Sequence, residues 1–321
     1  MSETEGFAVF DAVLKAARRH GVRWETDYPM RKLTTFRTGG PASLLVQPNS
    51  EGALQDILQA ALSENIPYCV IGNGSNLLVS DEGFCGLVIR IGAEMSGIEE
   101  LGGGRLRVEA GASMSTLCNA ACKLGLSGLE FAFGIPGTAG GAAVMNAGAY
   151  GGEMRDVLLS CDHLDSRGNP GAFTGEALDL SYRHSAYSAG GYILTALTLR
   201  LMPDSTQAIR ARMEENLRRR KEKQPLDFPS AGSTFKRPEG HFAGALIEQC
   251  GLKGCRIGGA QVSEKHAGFI INAQEATSAD IAALIAFVRQ RVLEETGVLL
   301  SPEVKWIGPL PESGDAALWN S

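Results

Sequence analysis

"VIGNGSNLLV", residues 70–79, decides how the chain is read. Gly72, Asn73, Gly74, Ser75 and Asn76 crowd one tight turn after the β-type run "YCVIG" at 68–72. Glycine there permits positive φ and lets several backbone N–H groups converge on one anion, while Ser75 and Asn76 add side-chain donors. A pyrophosphate suits such a turn. The Rossmann fingerprint is excluded, because G-x-G-x-x-G would need glycine where Leu77 stands, and no G-x-x-x-x-G-K-[ST] loop occurs in the chain. Taken alone, the stretch would pass for a β-turn, since Asn-Gly and Gly-Ser commonly mark turns.

A second stretch argues against that plain reading. "FGIPGTAGGAAVMNAGAYGG" (133–152) is apolar and holds seven glycines in twenty residues, with Pro136 stiffening its entry. Glycine inside a regular element costs about 0.5–1 kcal/mol relative to alanine, so this density implies a backbone approaching something large and flat. Two such segments without a mononucleotide fingerprint fit a dinucleotide whose pyrophosphate lies between them.

Working outward, β-type runs at 43–48, 68–72, 86–92, 105–111 and 192–201 alternate with helical patterns at 51–64 and 113–125. The hairpin-like insertion "CDHLDSRGNPGAFTG", turning at Arg-Gly-Asn-Pro, favours an α+β arrangement over a doubly wound sheet. After "LMPD" at 201–204 the pattern becomes a charged helix, "STQAIRARMEENLRRRKEKQ", which Pro225 and Pro229 stop. Its basic run 218–223 reads as a solvated helix C-terminus. Thr277 with Asp280 marks a further helix start, and Ile281, Leu284, Ile285, Val288 and Val292 repeat at helical spacing up to Gly297. The expected division is an N-terminal helical segment (1–34), a main region (35–203) and a smaller C-terminal domain (204–321).

Composition limits the partners. The 321 residues carry a net charge of −6 and a pI near 5.5, which argues against nucleic-acid or anionic-membrane surfaces. No apolar run is long enough to span a bilayer, and the acidic, amphipathic N-terminus does not read as a signal peptide. Seven cysteines form an odd set without CxxC pairs or histidines at zinc spacing, so a reduced cytoplasmic protein without a metal is expected. Cys118 and Cys122, one helical turn apart, are expected to pack inside.

Three residues invite a chemical reading. Ser233, in "PSAGSTFKRPEG" (229–240), is a nucleophile, a proton donor or only a turn residue. The nucleophile reading lacks a G-x-S-x-G elbow. Arg183, in "SYRHS", offers a fixed cationic fork for a carboxylate or else a surface ion pair, and Glu303, in "SPEVKW", is a catalytic or a solvated strand-end carboxylate.

The motifs "TFRTGGPA", "IGNGSNLLVSDEGF", "GIPGTAGGAAVMNAGAYGGE", "SYRHS", "PSAGSTFKRPEGHFAGALIE", "RIGGAQVSEKHAGFIIN" and "LSPEVKWIG" occur in this order. Together they resemble the UDP-N-acetylenolpyruvoylglucosamine reductase family, from about residue 30 to 308. The resemblance implies a vanillyl-alcohol-oxidase-type (PCMH-type) FAD-binding region of two subdomains over 35–203, then a smaller α+β substrate-binding domain over 204–321. The FAD would be non-covalent and NADPH a co-substrate. The chain resembles the family's short form, because the strand-like run from Tyr192 follows Arg183 too soon for an inserted tyrosine-bearing loop.

By the same resemblance, Gly72, Asn73, Gly74, Ser75, Asn76, Pro136, Gly137, Thr138, Gly140 and Gly141 would hold the FAD pyrophosphate. Arg37, Thr38, Asn146 and Gly148 would line the same cofactor. Arg183, Ser233 and Glu303 would be catalytic: hydride from flavin N5 reaches the terminal carbon of an enolpyruvyl group, Arg183 and Glu303 support the enol form, and Ser233 gives the α-carbon its proton. Lys236 or water would assist Ser233. Arg237, where many relatives carry asparagine, His266 and Gln224 would contact the UDP-sugar substrate of a monomeric enzyme of peptidoglycan synthesis. The rival readings are another flavin oxidoreductase of this fold, which would call for covalent flavin attachment, and a catalytically silent nucleotide-sugar binder, which would be expected to lack one of the three catalytic residues.

Overall fold

Ser50 opens the helix Glu51–Ser63 in the computed structural model, which describes residues 9–310 and Trp319. Its hydroxyl accepts from Ala53 N, satisfying one orphan donor of the first turn. Leu54, Ile57, Leu58 and Ala61 recur on one buried face, so this helix, with Asp11–Arg19 beside it, covers a sheet through an apolar stripe. That sheet orders the strands Arg23–Pro29, Pro41–Gln47, Phe84–Arg90 and Tyr68–Ile71. Tyr68–Ile71 and Phe84–Arg90 run parallel, with Ile71 opposite Arg90.

By internal contact the described chain forms two compact units, interleaved in sequence. The first holds the described residues up to Thr26, then Leu44–Asn73 and Gly86–Arg219; the second holds Asp27–Ser43, Gly74–Cys85 and the described residues from Arg220. Packing thus regroups the linear segments 1–34, 35–203 and 204–321. The physical reason lies in one pairing: the strand Leu77–Val79 lies parallel to Lys305–Ile307, which joins 74–85 to the C-terminal part. Residues 1–8, 311–318, 320 and 321 of the outer expected segments lie outside the described residues.

The first unit also contains a five-stranded antiparallel sheet in the order Pro170–Thr174, Leu158–Asp165, Tyr192–Arg200, Arg105–Glu109, Ile98–Gly102. The "SRGNPG" insertion is the hairpin at its edge. In the second unit the strands Arg256–Ile257, Ala260–Val262 and Ile270–Asn272 form an antiparallel sheet under the helices Ala243–Gln249 and Ser278–Thr296. Thr277 and Asp280 close the expected capping box and Gly297 ends that helix at φ +72°. The α+β expectation holds.

One segment differs from its reading. Within the glycine-dense stretch, Ala139–Val144 is a helix, N-capped by Thr138. Glycine sits inside it because a Cβ on Gly140 would lie 2.8 Å from Ala110 Cβ, so close packing on the neighbouring strand end replaces helix propensity. Gly152 likewise faces the Phe131 ring, where a Cβ would come within 2.7 Å. Several of these glycines therefore serve approaches inside the protein.

The loop leading into this stretch is pinned by Glu130, which is 8% exposed. Ser127 Oγ and Gly128 N donate to its carboxylate at 2.9 and 2.7 Å, and Arg212 Nη2 at 2.7 Å. Burial alone would raise this carboxyl's pKa, but Arg212 and the other donors outweigh it and hold it below its ordinary 4.5. A depressed folded-state pKa contributes stability that is full above the unfolded value and is lost as pH falls through the folded one. Glu130→Gln is therefore expected to destabilise the protein by about 2 kcal/mol at neutral pH, Arg212 being partly solvated. The gap in urea midpoint between variant and parent should narrow below about pH 4. An equal gap at neutral and acid pH would refute the charged-network account.

Candidate active site

In the first unit the chain turns at Gly72, directly after Ile71. A Cβ there would stand 2.6 Å from Thr138 Oγ1, so only glycine lets this turn meet the start of the second glycine segment. Thr138 Oγ1 accepts from Gly141 N, while Ala139 N and Gly140 N donate to the carbonyls of Ala112 and Ala110 at 2.7 and 2.8 Å. The first-turn donors of that short helix are thus taken within the protein. Pro136 and Gly137 precede it, with Gly137 O accepting from Met114 N. The turn at 72–75 behaves differently: among the described residues no protein acceptor takes the N–H of Gly72, Asn73, Gly74 or Ser75. Successive unsatisfied N–H groups form an anion-binding concavity.

Gly148 pairs with Glu153 in the small hairpin Gly148–Ala149 and Gly152–Glu153. Asn146, expected on the cofactor, is 1% exposed, and its amide binds inside the protein. Nδ2 donates to Glu153 Oε2 at 2.8 Å and to Ser181 O at 3.0 Å, while Oδ1 accepts from Arg155 N at 2.9 Å. Both amide hydrogens are committed, so its side chain has no donor left for a cofactor. Arg183 lies at the tip of the turn 181–184, with φ +54° and its guanidinium carbon 5.4 Å from the Tyr182 ring centroid.

In the second unit, "TFRTGG" forms a turn closed by Thr34 Oγ1 on Thr38 O at 2.8 Å, with Arg37 at φ +59°. Asn272 Nδ2 holds it by donating to Phe36 O at 3.0 Å, and Thr35 N donates to Gly74 O. Thr38 Oγ1 is buried and makes no hydrogen bond among the described residues. Such an orphan asks for a partner. The free amides at 72–75 and this hydroxyl suit an anionic, acceptor-rich cofactor, so the residues present fit the FAD that the sequence implies.

Ser233 and Glu303 come together in the same unit. Glu303 N donates to Thr234 O at 2.8 Å, Lys236 N to Ser301 O at 2.9 Å, and Phe235 bridges Pro302. Along this extended segment Thr234 is fully buried, its hydroxyl accepting from Ile270 N, and Ser233 is exposed. Asn76 Nδ2 donates to Glu303 O at 3.1 Å and Lys305 N to Asn76 O at 2.9 Å. The expected cofactor turn is therefore tied to the segment that carries Glu303.

Sequence reasoning passed over Lys305. Desolvation and the nearby Lys236 ammonium hold its amine below the ordinary value, with Glu303 acting the other way. These three charged groups share one electrostatic neighbourhood. The signal was available, since Lys305 stands two positions after Glu303 on an extended segment.

The expected substrate contacts are spread along the second unit. Arg237 stacks on the Phe242 ring, 4.7 Å to the centroid. His266 Nδ1 accepts from Gly268 N at 3.1 Å, and burial favours its neutral form. Gln224 Oε1 accepts from Arg220 Nη1 at the end of the helix Thr206–Lys223. Burial pushes the Cys118 thiol up to about 12, which suits packing rather than reactivity. Among the described residues no helix is long and apolar enough to cross a membrane.

Comparison with known proteins gives consistent matches. The family described as "FAD binding domain" matches residues 42–170, and "UDP-N-acetylenolpyruvoylglucosamine reductase, C-terminal domain" matches 224–307. A UDP-N-acetylenolpyruvoylglucosamine reductase of Clostridium botulinum is 50% identical over 282 residues, covering 88% of this chain and 92% of that protein. One of Clostridioides difficile is 46% identical, covering 88% and 93%. The crystal structure of the enzyme from Thermus caldophilus superposes with a TM-score of 0.75 at 36% identity, covering 89% of this chain and 99% of that one.

Proposed function

The chain belongs to the UDP-N-acetylenolpyruvoylglucosamine reductase family, and on that premise we propose that it reduces UDP-N-acetylglucosamine enolpyruvate to UDP-N-acetylmuramate with electrons from NADPH. On this reading Arg37, Thr38, the 72–76 turn, 136–141 and Gly148 contact a non-covalent FAD in the region 35–203. The domain 204–321 contributes Arg237, His266 and Gln224 to the sugar nucleotide, and 1–34 is an N-terminal helical segment. The enzyme works as a cytoplasmic monomer in peptidoglycan synthesis, with no nucleic-acid or membrane partner.

The observation that carries the reading is the ladder in the second unit, where the Ser233 segment, the Glu303 segment and the 74–76 turn are joined by backbone and amide hydrogen bonds. The chemistry that bound FAD supplies is hydride transfer from NADPH to the terminal vinyl carbon. As that bond forms, the vinyl electron pair moves toward the substrate carboxylate. Arg183 meets it with a planar guanidinium fork. Glu303 supports the enol form, and the Lys236 and Lys305 ammonium groups near it add positive potential. Ser233 Oγ then gives its proton to the α-carbon. Its exposure, beside the inward Thr234, leaves that hydroxyl pointing away from the core.

A single experiment tests the assignment. Purified protein should be yellow, bleach with NADPH under anaerobic conditions and recolour on adding the enolpyruvyl sugar nucleotide. Protein that is colourless and takes up no added FAD would overturn it.

A further inference from the structure

We propose that Asn146 is a positioning residue that clamps the turn carrying Arg183, and not a ligand of the cofactor. The inference rests on the reading that Arg183 handles the substrate carboxylate. Ser181 and His184 exchange backbone hydrogen bonds, Ser181 N to His184 O at 3.2 Å and His184 N to Ser181 O at 3.1 Å. Only Tyr182 and Arg183 lie between them. Two-residue turns with positive φ at the second central position normally place glycine there, yet Arg183 sits at φ +54°. A bulky residue holds such a conformation only where its surroundings over-determine it.

The surroundings are two tethers. Asn146 Nδ2 donates to Ser181 O, the same carbonyl that closes the turn, at 3.0 Å. Ser185 Oγ donates to Val144 O at 2.7 Å and accepts from Tyr187 N, fixing the other side of the turn. Asn146 is itself anchored from behind, because Glu153 accepts its second amide hydrogen and Arg155 N donates to its oxygen. Arg155 also forms an ion pair with Glu153, and its Nη1 approaches Leu180 O. Asn146 adopts φ +39°, a conformation that asparagine tolerates better than most residues. The glycine segment is thereby coupled, through the buried Asn146 amide and the Val144 carbonyl, to the placement of the catalytic guanidinium.

Asn146→Gly is the chosen variant, since glycine keeps the positive φ and removes only the amide. Displacing a positioned group by about 1 Å costs up to ~10²-fold in rate. The variant is therefore expected to recolour roughly 10–100-fold more slowly with the enolpyruvyl sugar nucleotide. NADPH bleaching and the FAD dissociation constant, read by flavin fluorescence, should match the parent. In an Arg183→Ala background, Asn146→Gly should add no further loss. Ser185→Ala, which leaves Val144 O the Ser188 hydroxyl at 3.2 Å, should show a smaller loss with the same dependence on Arg183. This second variant carries the test should the glycine variant not fold.

Weakened FAD binding with normal chemistry in loaded enzyme would overturn the proposal in favour of a cofactor ligand. Equal slowing of bleaching and recolouring, or a full additive loss on Arg183→Ala, would also overturn it. An Arg183→Ala enzyme that recolours normally would defeat the reading of the site itself, a result distinct from a silent Asn146→Gly in an enzyme that needs Arg183.

Discussion

Ser233→Ala is expected to leave bleaching by NADPH intact while slowing recolouring by the enolpyruvyl sugar nucleotide roughly 10²–10⁴-fold, the usual contribution of a positioned general acid. The split follows from chemistry: the hydroxyl is proposed to supply only the proton to the α-carbon, and bleaching involves no such proton. The fold should tolerate the change. Thr234, not Ser233, enters the core, and the segment is held through the Thr234 backbone and hydroxyl, which alanine at 233 does not touch. Stopped-flow absorbance of the flavin in each half-reaction, with a melting temperature close to the parent's as a control, checks the expectation. Equal slowing of both halves would remove Ser233 from proton donation.

The regular elements were legible because each carries its own local code. Ser50 and the Thr277–Asp280 box mark helix starts, Gly297 marks a helix end, and two-residue alternation or apolar runs mark the strands. The helix Ala139–Val144 was not legible, since its stability comes from the tight meeting of Gly140 with Ala110, a tertiary contact that no local propensity announces. The candidate site divides in the same way. The alternating Gly72-Asn73-Gly74-Ser75 turn advertises free amides, and among the described residues no protein acceptor takes them. Which side chains are already engaged was hidden. Nothing near Asn146 in sequence indicates Ser181 as its partner, and nothing near Asn76 indicates Glu303, 227 positions away. Composition tells which groups are present; long-range pairing decides which remain available.

That pairing also shapes the second large effect, Glu303→Gln. Turnover is expected to fall about 10²–10³-fold with KM little changed, because the Glu303 carboxyl group is proposed to hydrogen-bond the enol form, which arises only as the vinyl group is reduced. The substitution is close to isosteric, and the position is fixed through its backbone: Glu303 N on Thr234 O, and Glu303 O under Asn76 Nδ2. Neither bond involves the carboxylate, so the ladder around Ser233 should survive. The charge change has a separate readout. Glu303 raises the pKa of Lys305, which desolvation and Lys236 hold down, so its removal should let the Lys305 amine lose its proton at still lower pH. Titration of that lysine by its modification rate would move downward in the variant whatever its catalytic fate. A shifted Lys305 together with parental turnover would mean that the negative charge reaches its neighbours but not the reaction, and Glu303 would then be a structural carboxylate.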